Sequence, residues 1–147
     1  MRVIILLLFL VFTSCHEIGS DIIHVIINDG NMIEYEFELK YGKSRILPNG
    51  LKIGFKELLG DSRCPTGAVC VWEGRADISL WMLKSRLDTI SFKLSISGYV
   101  NKTNSDSHKY IDTLGYRIKL LQLDPYPVIN IPRQPSDYNA LLRVSQI

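Results

Sequence analysis

Apolar and polar side chains alternate one by one along most of this chain. Ile33, Tyr35, Phe37 and Leu39 are interleaved with Met32, Glu34, Glu36 and Glu38, and Leu51, Ile53 and Phe55 with Lys52, Gly54 and Lys56. Further on, Ile90, Phe92, Leu94 and Ile96 alternate with Ser91, Lys93, Ser95 and Ser97. Successive side chains of an extended strand point to opposite faces. A period of two therefore marks strands with one face buried and the other in water, the habit of antiparallel sheets.

Turn chemistry agrees. NDGN (28–31) separates residues 22–27 from 32–40, and Asp-Gly supplies the positive φ angles of a tight hairpin. LPNGL (47–51) and KSRLD (84–88) predict two more turns. Further strands are expected over Val69 to Leu83, Tyr116 to Leu123 and Ala140 to Val144. The apolar phase slips at Leu120 and Leu121, which predicts a bulge or a strand end buried on both faces. No stripe at helical period supports a helix longer than two turns. The expected fold is all-β, an antiparallel sandwich or partly open barrel of about seven to eight strands joined as a meander or Greek key.

Two segments break the alternation. Residues 98–109 are polar and rich in Asn and Ser, and read as a loop. Residues 124–139 hold four of the six prolines, which cannot donate to a sheet ladder and favour extended, edge-like chain.

The amino-terminal end is of a different kind. Arg2 precedes an unbroken apolar run from Val3 to Phe12, then Thr13, Ser14 and Cys15, the layout of a secretion signal. The run is too short for an ordinary membrane span, which needs about 20 residues. A cysteine straight after two small residues looks like the lipobox of bacterial lipoproteins, with Phe12 where leucine is usual. Lipidation at Cys15 is the expectation, since two or more acyl chains anchor stably where one does not. Ordinary cleavage, leaving Cys15 as a stray thiol, is the alternative. The implied organisation is a signal at 1–14, a lipidated cysteine and tether at 15–20, and one β domain at 21–147. His16, rather than aspartate, after the cysteine points to the outer membrane.

Without Cys15, the odd cysteine count becomes a pair, Cys64 and Cys70, in a chain bound for an oxidising compartment. A disulfide is expected there. Zinc is the poorer reading, because the gap is wide and no second pair or nearby histidine completes four ligands. Removing Arg2 with the signal leaves 16 Lys and Arg against 15 Asp and Glu, a net charge of +1. The positive residues are scattered among negative ones, so nucleic acid is not an expected partner.

Chemistry concentrates in DSRCPTGAVCVWEG (61–74). Asp61 and Ser62 favour turns, Pro65 and Gly67 bend the chain, and Cys70 and Trp72 would share one face of a strand. Arg63 has two readings. It is displayed on a disulfide-braced loop, as in many protease inhibitors, or it is paired with Asp61 while its guanidinium fork satisfies carbonyls. Trp72 is expected to pack in the core over the disulfide, with a ligand platform as the alternative. The row Glu34, Glu36, Glu38 could attract calcium or a basic partner, but calcium sites also draw on loop oxygens, and a solvated, charge-paired face is expected.

Asp61, Ser62, Arg63, Cys64, Pro65, Cys70, Trp72 and Gly74 also carry a resemblance. The chain resembles a group of uncharacterised small secreted or lipid-anchored bacterial proteins that share a DSRCP segment, a second cysteine soon after and a C-x-W-x-G continuation. LDPYP (123–127) is similar too, so the likeness covers about residues 42–127. It implies kinship and no particular activity. Glu73 stands where that group carries a small residue, which would matter if the edge from Trp72 to Gly74 is a contact surface.

His16, His24 and His108 show no metal-ligand spacing, and no nucleophile motif is present. The expectation is a monomeric lipoprotein of the cell envelope. It would meet the membrane through its anchor and an unidentified protein or envelope component through its β domain, with no cofactor, metal or catalytic residue. The candidate contact loop comprises Asp61, Arg63, Pro65, Trp72 and Glu73. Two alternatives are a protease inhibitor presenting Arg63 and a hydrolase with a site among the long loops.

Overall fold

Each of the alternating runs becomes a strand whose apolar members point inward, apart from Ile33 at the start of its strand, which is exposed. The computed structural model describes residues 22–27, 33–84, 89–100, 103 and 108–147. Nine strands run through these described residues: β1 Ile23–Ile27, β2 Ile33–Lys40, β3 Ser44–Ile46, β4 Lys52–Asp61, β5 Arg75–Leu83, β6 Thr89–Ser97, β7 Tyr110–Thr113, β8 Tyr116–Asp124 and β9 Asn139–Gln146. They form two sheets, ordered β1-β2-β9-β8-β7 and β3-β4-β5-β6, with every pairing between strands antiparallel.

The result is an open sandwich, not a barrel. The second sheet is a plain meander, whereas the first is completed by β9, which slots between β2 and β8. Phe37 and Leu39 of β2, Ile53 and Phe55 of β4, Ile78 and Leu80 of β5, and Leu142 and Val144 of β9 meet in the interior, each at most 2% exposed. Burying a side chain of this size fully contributes about 1.5–3 kcal/mol. The alternation thus states directly which face each strand buries.

Three expectations need correction. Strand count rises above seven to eight because β3 and β7 span only three and four residues, too few to show a period. The strand expected from Val69 begins instead at Arg75, and β4 continues to Asp61 through two irregularities. Residues 124–139 are not wholly extended chain: they contain a short 3-10 turn, Pro135–Asp137, the only helical element among the described residues. The described residues of 98–109 lie outside the strands as expected, and residues 101–102 and 104–107 lie outside the described residues.

Other details follow the sequence. The bulge falls between Leu120 and Gln122, and Leu121 is itself buried. LPNGL closes a turn in which the Leu47 amide donates to the Leu51 carbonyl at 2.8 Å and Gly50 takes φ +84. The turn at 28–31, residues 85–88 of the next, and the segment 1–20 with Cys15 and His16 lie outside the described residues.

The register defines two ends. Asn139 pairs with both Lys40 and Asp124, so these three lie at one end of the five-stranded sheet. β1 runs antiparallel to β2, with Ile23 opposite Phe37 and Ile27 opposite Ile33. The first residue of β1 therefore points to the same end as Lys40 and Asp124. The long connections 62–74 and 125–138 also lie there, and this is the loop end of the molecule.

Candidate functional site

The β4–β5 hairpin does not stop where its strands do. Beyond Asp61 the ladder continues as a neck: the Ser62 amide donates to the Arg75 carbonyl at 2.8 Å, and the Cys64 amide to the Glu73 carbonyl at 2.9 Å. Gly74 makes the neck possible. Its φ is +68, and a Cβ there would stand 1.9 Å from the Ser62 carbonyl oxygen. Gly98 presses in from β6, its amide donating to the Gly74 carbonyl at 2.9 Å, where a Cβ would meet the Glu73 oxygen at 1.9 Å. The glycine of the C-x-W-x-G motif is thus a packing requirement.

Above the neck, Cys64 and Cys70 are joined by a disulfide with Cα atoms 6.0 Å apart. The small loop it closes leans on the chain after β8. Thr66 donates to the Pro127 carbonyl at 2.9 Å and accepts from the Ile129 amide at 3.1 Å, forming a parallel bridge with Val128. Two connections distant in sequence therefore form one cap.

Beneath the cap is a brace made of charged groups. Arg63 donates from Nε to Asp61 Oδ1 at 2.9 Å and from Nη2 to Asp61 Oδ2 at 2.7 Å. Its Nη1 donates to the Leu123 carbonyl at 2.8 Å, and its guanidinium lies 4.8 Å from the centre of the Tyr126 ring. Tyr138 donates its hydroxyl to Asp61 Oδ2 at 3.0 Å. Asp61 ends β4 in one sheet, whereas Leu123 lies near the end of β8 and Tyr138 directly precedes β9 in the other, so this cluster ties the two sheets together at the loop end. Burial, then the neighbouring Asp61 carboxylate, pushes the Tyr138 hydroxyl up to about 12, with Arg63 and Arg133 opposing.

The expected site residues thus separate into two groups. Asp61 and Arg63 are internal: the Arg63 side chain is only 1% exposed, which corrects the reading of a displayed arginine. A buried guanidinium with its fork engaged has nothing to offer a protease pocket. Trp72 is corrected in the opposite direction. It is 79% exposed and outside any strand, with Val69 and Val71 fully exposed beside it. The cause is position: the tip stands beyond the end of both sheets, so no layer covers it. Glu73 is exposed and Pro65 half-buried.

The sequence reading missed the partners from 123–138, namely the Leu123 carbonyl, Tyr126 and Tyr138. The two segments share only a compositional feature. Residues 64–72 carry no charge, and neither do 125–132, PYPVINIP.

Elsewhere the acidic row follows the expectation in part: Glu34 and Glu36 share a cation, but Glu36 is buried at 2% exposure and not solvated. Arg143, across from Glu36 on β9, bonds it at 2.8 Å and lies 3.9 Å from Glu34, while Asn139 donates to Glu38 at 2.6 Å. Among the described residues no group of three or more His, Cys, Asp or Glu is placed to hold a metal ion. An open groove of about 690 Å³ beside the start of β1 is lined by groups of both signs, including Glu38, Lys43, Arg45 and Asp124.

No protein-family model matches this chain, and neither a curated protein nor a solved structure matches it.

Proposed function

We propose that the protein is a lipoprotein of the bacterial cell envelope, anchored through Cys15, whose β domain works by contact and not by catalysis. The observation that carries this reading is the division of labour at the loop end. Charged groups that could do chemistry are spent on the internal brace, while the exposed tip offers Val69, Val71 and Trp72. Tying down both sheets beneath a protruding loop costs the loop its freedom in advance, which favours binding over motion.

Two further features support the location. The run Val3–Phe12 with Cys15 after it has the form of a lipoprotein signal. The Cys64–Cys70 disulfide suits an oxidising compartment.

Cys15→Ser tests the reading. The variant should lose membrane sedimentation and keep the circular dichroism of the wild type. Sedimentation undiminished by the substitution would refute anchorage at this cysteine.

A further inference from the structure

The exposed tip is unusual in chemistry as well as in exposure. Val69 and Val71 are fully exposed, Trp72 is 79% exposed, and Ile129, which meets the loop at Gly67, is 47% exposed. Nearby, Tyr99 is 62% exposed and its amide lies 3.4 Å from the Tyr126 hydroxyl. Between Arg63, which is buried, and Glu73 there is no charged side chain, nor is there one between Asp124 and Arg133. The two segments that build the cap are therefore uncharged throughout.

Soluble surfaces scatter single apolar residues, but a projecting, uncharged, aromatic-bearing cap marks an interaction site. Its place in the fold indicates the partner. β1 starts opposite Phe37 with its first residue nearest the loop end, and the Ile22 carbonyl just before it accepts from Arg45 at 3.2 Å, so the described chain enters the sheet from the side that carries the cap. From Cys15 to Ile22 the chain can reach about 25 Å at most. That tether holds the loop end close to the bilayer. Of the exposed apolar side chains in the first sheet, Ile27 and Ile33 pair with each other at the opposite end, while Val25 and Tyr110 stand singly on its two edge strands.

We infer that the cap formed by residues 64–72 and 125–132 dips into the membrane interface, with Trp72, Val69 and Val71 entering the headgroup and acyl boundary. The inference rests on lipidation at Cys15. Trp and Tyr favour this layer because an apolar ring and a polar edge are both satisfied there. The acyl chains hold the protein on the membrane, and the cap sets its tilt. Rigidity in the brace then has a purpose: a loop fixed to both sheets orients the whole domain, leaving its outer faces turned to the aqueous side.

The test uses full-length, lipidated protein reconstituted into vesicles of phosphatidylethanolamine and phosphatidylglycerol, with bromine on the acyl chains of one batch. Trp81 is the second tryptophan, so wild type is compared with Trp72→Phe, a change at an exposed position that spares the fold. Brominated chains should quench the wild-type emission and leave Trp72→Phe unaffected, while aqueous iodide should lose most of its access to Trp72. Val69→Asp with Val71→Asp should abolish the bromine quenching without releasing protein from the vesicles. If the protein floats with vesicles yet Trp72 stays open to iodide and blind to bromine, the cap faces water and this inference fails while lipidation stands. If the protein does not float, lipidation and the inference fall together.

Discussion

Arg63 donates to the main-chain carbonyl of Leu123 at 2.8 Å, across 60 residues of sequence and from one sheet to the other. The bond makes a buried arginine into a rivet. A guanidinium suits the task because its planar fork grips the Asp61 carboxylate with two donors and still has donors for carbonyls.

Removing that fork should be costly. Arg63→Ala leaves Asp61 buried without its cation and the Leu123 carbonyl without its donor, so a loss of about 3 kcal/mol or more is expected in denaturant unfolding. Arg63→Lys should recover little, since an ammonium cannot reproduce the two-pronged grip. A change in the unfolding midpoint no larger than that of a surface substitution would remove the brace from this account.

The neck makes a sharper prediction. Gly74→Ala and Gly98→Ala each place a Cβ 1.9 Å from a backbone oxygen, and Gly74 also holds φ +68. Both should cost at least about 2 kcal/mol, because neither oxygen belongs to a side chain that can swing away. Gly60→Ala is the control: nothing lies within 4 Å of its Cβ and its φ is unremarkable, so the variant should equal or slightly exceed wild type. Melting temperatures of the three variants settle the matter.

How legible this was in the sequence depended on range. Phe37, Ile53 and Leu94 announced their faces because their neighbours alternate with them, and a local period needs only a local cause. Trp72 misled for the same reason. Val69, Cys70, Val71 and Trp72 form a local apolar run that reads as buried strand, but whether a second sheet lies above them is a non-local fact. Arg63 was legible only as far as Asp61, two residues away. Tyr126, Tyr138 and the Leu123 carbonyl belong to a segment more than 50 residues on, and nothing in the spacing near Arg63 points to it.

The disulfide should act as a staple. Cys64→Ser with Cys70→Ser frees a short loop, and loop entropy puts the loss at about 2 kcal/mol. The effect should be concentrated at the tip, since the neck is held by its own backbone bonds and Thr66 by Pro127 and Ile129. Hydrogen exchange should therefore quicken at residues 65–72 and leave β5 and β6 as they were. Thiol-reactive Cys64 and Cys70 in the exported wild-type protein would contradict the pairing.

Tyr138 predicts a pH dependence with a definite sign. Its hydroxyl ordinarily ionises near 10.0 and is pushed up to about 12 in the fold, first by burial and then by the Asp61 carboxylate it donates to. A pKa raised by folding means that the neutral hydroxyl is the form the fold favours. The contribution is whole below pH 10 and is lost as pH climbs towards 12, on the order of 2 kcal/mol over the interval. Tyr138→Phe has no hydroxyl to ionise and should unfold along a flatter alkaline limb. At neutral pH the variant should be weaker by only about 1 kcal/mol, because Asp61 keeps its bonds from Arg63. Wild type and variant share every other side chain, so all remaining contributions cancel when the two curves are subtracted. Unfolding free energies measured between pH 9 and 12 should converge and then cross as pH rises, leaving Tyr138→Phe the more stable near pH 12, and curves that stay parallel would show that Tyr138 does not hold its proton for the sake of the brace.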